Sequence, residues 1–215
     1  MAKAAAAAMI EGGKEILAVV LAGGLARRMG GGDKSLRLLG GRPILAHVID
    51  RLLGQAGQIL ISANGDPARF GAFGLPVVPD SVAGFGGPLV GILSAMEWAK
   101  IKAPWVVDVL SVPADGPFLP RDLASRLIVG RAKARAVLAR AGSAGRANPV
   151  VGLWPVSLAA ELRHAVVMEN IARVDSWTDR YRITTVMFDD VPIDPFFNAN
   201  TPEDLIEAGR LLRLR

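Results

Sequence analysis

Short β-branched runs alternate with helix-like segments along almost the whole chain, and few folds accept that order. It is the pattern of βαβ units on a mainly parallel sheet flanked by helices. Residues 16–21 (ILAVVL) read as the first buried strand, stopped by Gly23 and Gly24. Residues 43–53 follow as a helix with Pro43 near its first turn and Ile44, Leu45, Val48, Ile49 and Leu52 on one stripe. "QILISAN", "LPVVPD" and "WVVDVLSVPAD" then read as strands ending at Asn64, Asp80 and Asp115, with a helix over "GPLVGILSAMEWA". "ARAVLAR", "NPVVGLW" and "YRITTVMFDD" are the later strands, with helices near 121–129, 156–166 and 202–212. Thr201 can cap the last of these, with Pro202 at the first helical position and Asp204 three residues after the cap. The first glycine loop, Asn64, Asp80 and Asp115 therefore all fall at strand ends, where open α/β sheets bind ligands.

Length and composition narrow the chemistry. With 215 residues, half of them hydrophobic, the chain suits one compact domain, expected over 16–215 behind a flexible tail of residues 1–15. The short alanine-rich run in that tail is followed at once by Glu11, Lys14 and Glu15, which argues against a cleaved leader. No run approaches membrane-spanning length without glycine or charge. The absence of cysteine excludes disulfides and thiolate metal sites and suits a reducing cytoplasm. His47 and His164 are the only imidazoles, too few for a zinc site or a histidine triad. A net charge of +5 suits anionic partners. The cations are spread out, however, and "GRAKARAVLAR" has no interleaved aromatics, so nucleic acid is not the expected partner.

In the stretch "LAVVLAGGLARRMGGGDKS", glycines after a strand let backbone amides approach a phosphate and form an anion-binding concavity. Arg27, Arg28 and Lys34 add cations. Asp33 stands where G-x-x-x-x-G-K-[ST] requires glycine, and G-x-G-x-x-G is also absent, which disfavours a P-loop kinase or a dinucleotide-dependent dehydrogenase. Taken alone, the loop reads equally as a surface turn with solvated arginines. Asp80 and Asp115 taken alone read as turn formers. An acid at the end of an apolar strand facing a phosphate loop is nonetheless what Mg²⁺ needs, since that ion takes one or two carboxylates and completes its shell with water and phosphates.

These residues resemble a known family. "LAGGLARRMGGGDKS" is similar to the signature L-A-G-G-x-x-x-R-M-G-x-x-K of small nucleotidyltransferases, most closely the molybdenum cofactor guanylyltransferases. "SAN" at 62–64, "VVPDS" at 77–81, "GGPLVGI" at 86–92, "VPADGPFLP" at 112–120, "NPVVGLW" at 148–154 and "NANTPEDL" at 198–205 resemble further blocks of that family in order. The resemblance implies a single Rossmann-like nucleotidyltransferase domain that joins the guanylyl part of GTP to the terminal phosphate of molybdopterin and releases pyrophosphate. It also implies Leu21, Ala22, Gly23 and Gly24 as the nucleotide cradle, and Lys34 with Arg28 on the phosphates. Asn64 and Asp80 would contact the nucleoside and Asp115 would hold Mg²⁺, while Asn148, Asn198 and Asn200 are candidates for the pterin side.

The chain departs from the family pattern at Gly116, where many members carry a polar residue, and at Asn148–Pro149, where His-Pro is common. Cofactor-synthesis proteins and molybdoenzyme apoproteins are the implied partners. Three other readings stay open at this point: a cytidylyl or sugar-phosphate nucleotidyltransferase with the same loop, a non-catalytic nucleotide binder, and a basic nucleic-acid binder. The segment "MENIARVDSW", 168–177, reads either as a pterin-facing loop or as a helix end. The four tryptophans read as core or rim residues, and His47 as structural.

Overall fold

The computed structural model describes residues 13–23, 33–84 and 86–214. Gly24, Arg28 and residues 1–12 of the expected tail lie outside them. In chain order the elements are β1 (Ile16–Leu21), β2 (Leu38–Leu39), β3 (Arg42–Pro43), α1 (Ile44–Leu52), β4 (Gln58–Ser62), β5 (Val77–Val78), α2 (Pro88–Lys102), β6 (Asp108–Pro113) and α3 (Leu123–Ala134). There follow β7 (Leu138–Ser143), β8 (Arg146–Pro155), α4 (Ala159–Val167), α5 (Val174–Thr178), β9 (Ile183–Met187) and α6 (Pro202–Leu212). Seven strands form one sheet in the order β5-β4-β1-β6-β8-β7-β9. All neighbours are parallel except that β8 runs antiparallel to both β6 and β7.

The continuous apolar run of β1 is explained by its central place, because a parallel strand covered on both faces has no need of polar alternation. Ile16, Ala18 and Val20 face one core layer with Leu45, Val48 and Leu52 of α1 and Leu123 and Leu127 of α3. Leu17 and Val19 face the opposite layer, packed with Leu89, Leu93 and Met96 of α2 and Leu162 of α4. The stripe expected on α1 is buried at Ile44, Leu45, Val48 and Leu52. In α2, buried residues run nearly all round the helix, from Leu89 through Met96. A third cluster, with Leu39, Ile44, Phe118 and Ala208, seats α6. That helix starts as the sequence predicts. Thr201 Oγ1 accepts from Asp204 N at 3.2 Å, and Asp204 Oδ2 accepts from Thr201 N at 2.8 Å.

The largest departure from the sequence reading lies between 121 and 143. The expected helix over 121–129 continues to Ala134, so the strand expected from Ala134 begins only at Leu138. Alanine, lysine and arginine are good helix formers, and Arg131 is anchored by two hydrogen bonds of 2.6 Å to Asp108, so the helix keeps a turn that β-branched Val137 alone did not mark. Arg135 then ends it with a left-handed φ of 47°. Glu15, at the end of the expected tail, accepts backbone hydrogen bonds from Val107 and Asp108 at 2.8 and 3.2 Å. Trp154 and Trp177 are buried against each other, Trp105 is exposed, and His47 Nε2 lies 2.9 Å from the Leu39 carbonyl. No helix of the described residues is long and apolar enough to cross a membrane.

Candidate functional site

Four adjacent parallel strands, β5, β4, β1 and β6, present their C-terminal ends side by side. The chain crosses between them with backbone hydrogen bonds: Ala22 N to Ser62 O at 2.9 Å, Ala63 N to Val78 O at 3.0 Å and Ala114 N to Leu21 O at 3.2 Å. The register leaves Ala22–Gly23, Ala63–Asn64, Asp80 and Ala114–Asp115 just past the sheet, around one pocket of about 460 Å³. That volume is in the range of roughly 300–1,000 Å³ usual for small-molecule sites. Every described member of the expected nucleotide set lines it: Leu21, Ala22, Gly23, Lys34, Asn64, Asp80 and Asp115. A Cβ on Gly23 would meet no atom of the described residues within 4 Å, and Gly23 itself lines the cavity.

Lys34 and Asp115 stand together on one wall. Lys34 opens a single 3-10 turn, Lys34–Leu36, and its Nζ donates to both Asp115 Oδ2 and Asn200 Oδ1. The segment carrying Asn200 is fixed in turn by Ala199 N, which donates to the Asp115 carbonyl at 3.0 Å. Asn198 Oδ1 is buried without a hydrogen-bond partner among the described residues, 3.3 Å from where a Cβ on Gly116 would stand. The glycine that departs from the family pattern is therefore packed against that amide, where a larger side chain would press on it.

The opposite wall is built from a reciprocal pair. Asn64 Nδ2 donates to Asp80 Oδ2 at 2.7 Å, and Asp80 N donates to Asn64 Oδ1 at 2.9 Å. Ser81 N donates to Ser94 Oγ of α2 at 2.8 Å, which holds the Asp80 loop to that helix. Farther out, Arg163 of α4 donates to Glu97 of α2 at 2.6 and 2.9 Å and reaches Ser81 Oγ at 3.5 Å. Burial pushes the Glu97 carboxyl up, but the hydrogen bonds from Arg163 and Ser81 and the Arg163 charge outweigh it and hold the group below its usual value.

The pocket includes residues that the sequence reading did not single out as site residues. The N-terminus of α2 faces it through Gly86, Gly87 and Pro88, and Gly87 turns the chain there with a φ of 104° that favours glycine. At the floor, a Cβ on Gly91 would stand 2.7 Å from Leu21 Cδ2 and 2.8 Å from Ser62 Oγ. Ser35, also in the lining, has a buried hydroxyl with no partner among the described residues. Their signal in the sequence was the "GGPLVGI" block and the adjacency of Ser35 to Lys34.

Asn148 stands apart. Its Oδ1 accepts from Val150 N and Val151 N at 3.1 and 3.3 Å, so it shapes β8 locally, and Val150 rather than Asn148 lines the pocket. In the 168–177 segment, α5 buries Trp177, and Ala172 O lies 3.7 Å from a Cβ placed on Gly87 without lining the cavity.

The family model of the MobA-like NTP transferase domain matches residues 18–182, which span β1 to the approach to β9. The chain belongs to this family. A molybdenum cofactor guanylyltransferase of Bradyrhizobium sp. (strain ORS 278) is 55% identical over 193 residues, 90% of this chain and 91% of that protein. Its counterpart in Nitrobacter hamburgensis is also 55% identical, over 91% of this chain and 94% of its own length. Among solved structures, the molybdopterin-guanine dinucleotide biosynthesis protein A of Archaeoglobus fulgidus has a TM-score of 0.71 at 21% identity, covering 93% of this chain and all of that one. A 4-diphosphocytidyl-2C-methyl-D-erythritol synthase of Anaerococcus prevotii reaches 0.65 at 19% identity over 96% of this chain and 99% of its own, so the fold itself is shared by enzymes of differing substrates. As a MobA-like NTP transferase, the chain is a nucleotidyltransferase enzyme.

Proposed function

We propose that this protein transfers the guanylyl group of GTP to the terminal phosphate of molybdopterin carrying molybdenum, yielding the guanine dinucleotide form of the cofactor and pyrophosphate. The observation that carries the reading is the convergence of Lys34, Asn64, Asp80 and Asp115 on one pocket at the ends of four parallel strands. It is supported by relatives 55% identical over nine-tenths of the chain whose names specify the guanylyl reaction.

In the reaction an oxygen of the acceptor phosphate forms a bond to the α-phosphorus of GTP. The bond from that phosphorus to the oxygen bridging the β-phosphate breaks, and pyrophosphate leaves with the electron pair. Both reactants are anions, so the site must offset their repulsion and stabilise charge building on the leaving group. Lys34 is suited to this. Its ammonium, which donates to Asp115 and Asn200, can turn to a phosphate at the same pocket wall, and Arg28 of the glycine-rich loop is the second proposed cation. The acceptor phosphate is already ionised near neutral pH and needs no strong base. Neither histidine lines the pocket. Asn64 and Asp80 would orient the nucleoside, so that alignment supplies much of the remaining acceleration.

The donor set fits Mg²⁺. Among the described residues no group of three acidic or histidine ligands exists, so the protein offers the Asp115 carboxylate, with the unpartnered Asn198 amide oxygen nearby, and leaves the rest of the shell to phosphates and water. Bound there, Mg²⁺ would neutralise phosphate charge. Asn198 and Asn200, one residue either side of the strap that Ala199 makes to Asp115, are the proposed approach of the pterin substrate. Such an enzyme would work in the cytoplasm, receiving molybdopterin from cofactor-synthesis proteins and passing its product to molybdoenzyme apoproteins.

Calorimetric titration with GTP, CTP, ATP and UTP, each with and without Mg²⁺, tests the reading. A Mg²⁺-dependent preference for GTP is expected. A CTP preference would move the assignment to a cytidylyl transfer, and no nucleotide binding would overturn it.

A further inference from the structure

Outside the pocket lining, the side chain of Arg69 joins Asp33, next to Lys34, to Asn64. It stands on the 3-10 segment Pro67–Phe73, which Asp66 caps by accepting from Ala68 N at 2.9 Å. Its guanidinium is engaged on three sides. One terminal nitrogen donates to the Asn64 carbonyl at 2.6 Å and the other to the Asp66 carbonyl at 2.7 Å. Nε lies 2.6 Å from Asp33 Oδ2 but off the N–H direction, so that contact is an ion pair rather than a hydrogen bond. Gly65, with a φ of 84°, wraps the turn so closely that a Cβ there would stand 3.2 Å from the guanidinium.

Each partner adjoins a residue of the pocket. Asp33 immediately precedes Lys34, and its carbonyl accepts from Leu36 N at 3.1 Å to close the turn that presents Lys34. Asn64 pairs with Asp80 through both its amide nitrogen and its amide oxygen. Asp33 and Arg69 are both largely shielded, with side-chain exposures of 15% and 26%, so the pair is screened less than a surface bridge. A planar guanidinium can satisfy two carbonyls and a carboxylate at fixed angles, which a lysine ammonium cannot reproduce.

We infer that Arg69 is a positioning residue. Through Asp33 it fixes the far end of the glycine-rich loop, and with it Lys34, at a set distance from the Asn64–Asp80 pair, so that the phosphate and nucleoside ends of one nucleotide are received together. This rests on the nucleotide-binding reading above, and it assigns a role to an arginine that no loop motif marks.

The test uses the full chain with Arg69→Ala, Arg69→Lys and Asp33→Asn, and reads three quantities: amide hydrogen exchange over residues 64–70, the GTP dissociation constant, and thermal unfolding. In Asp33→Asn, exchange over 64–70 is expected to rise without any nucleotide present. Exchange equal to wild type would overturn the tie, whatever the protein binds. The GTP dissociation constant is expected to rise about tenfold in Arg69→Ala and by less in Arg69→Lys, which keeps the charge and loses the fork. If melting falls while GTP affinity stays within twofold of wild type, the residue is structural and the positioning role is overturned. Should Arg69→Ala fail to fold, Arg69→Lys and Asp33→Asn carry the same comparison. Failure of wild type itself to bind GTP would instead count against the proposed function, and the exchange measurement would still decide whether the tie exists.

Discussion

The two walls of the pocket are built on different principles. On the wall proposed to receive the nucleoside, Asn64 and Asp80 are 16 residues apart and satisfy each other at adjacent strand ends, in a geometry that presents an amide beside a carboxylate. On the wall proposed to receive the phosphates, Lys34 reaches 81 residues along the chain to Asp115 and 166 to Asn200, and those contacts use the same ammonium that a phosphate would need. One wall is a mutually satisfied pair, whereas the other is an ion-paired cluster whose ammonium the proposed substrate phosphate would compete for. The first should therefore govern affinity and base choice, and the second should govern turnover.

The sharpest way to break that contrast is at Asp115. Asp115→Asn keeps the shape and removes the charge, and is expected to lower kcat by at least about a hundredfold, roughly 2.7 kcal/mol of transition-state stabilisation. Steady-state rates at saturating Mg²⁺ check it, and near-normal turnover would remove the metal assignment from this residue. Lys34→Ala comes next. Because its ammonium would follow charge onto the leaving pyrophosphate, kcat is expected to fall by about tenfold or more, with KM changing less. A rise in KM at unchanged kcat would instead mean that Lys34 holds ground state and transition state alike.

Asn64→Ala probes the other wall. Removing it takes away the amide proposed to meet the nucleoside and leaves Asp80 without that partner, and the loss of one such contact, about 1–1.5 kcal/mol of binding, corresponds to roughly a tenfold rise in the GTP constant. Turnover at saturation should stay within about twofold. Competition between GTP and CTP measures the same variant for base choice. A kcat collapse equal to that of Asp115→Asn would erase the distinction between the walls.

The contrast also explains what the sequence discloses. Strand-end residues are legible because a buried parallel strand must be an apolar run and must stop where the chain meets solvent, so Leu21, Asn64, Asp80 and Asp115 are marked by the end of a pattern. The amphipathic stripe of α1 and the cap of α6 are local and equally visible. Long-range geometry is not. Nothing near Arg69 distinguishes it from the other dispersed arginines: Asn64 and Asp66 lie within five residues of it, and its distant partner, Asp33, is brought to it only by the crossing from β1 to β4. Asn148 is the opposite case: it sits inside a motif-like block, while its amide oxygen accepts from the backbone of its own strand. The strand boundary near Ala134 was missed because one β-branched residue weighed more in the pattern than a helix-forming run anchored by a distant aspartate.

The smallest expected effect lies outside the nucleoside wall, at Glu97, where α2 and α4 are tied above Ser81. The pair is open to solvent, so Glu97→Gln should cost at most about 1 kcal/mol of stability and leave the GTP constant within about twofold. Its pH dependence has a definite sign. Because the folded protein holds this carboxyl below its ordinary value, the contribution is fully present above the unfolded pKa, about 4.3, and is lost as pH falls through the lowered folded value. Unfolding midpoints of wild type and Glu97→Gln, compared from neutral pH into the acid range, should therefore converge as the wild-type carboxylate becomes protonated. A gap that stays constant into strong acid would show that the Arg163 tie does not stabilise the fold through charge. A large loss of GTP affinity in the same variant would mean that Asp80 depends on this outer tie, and the nucleoside wall would then be no more self-supporting than the phosphate wall.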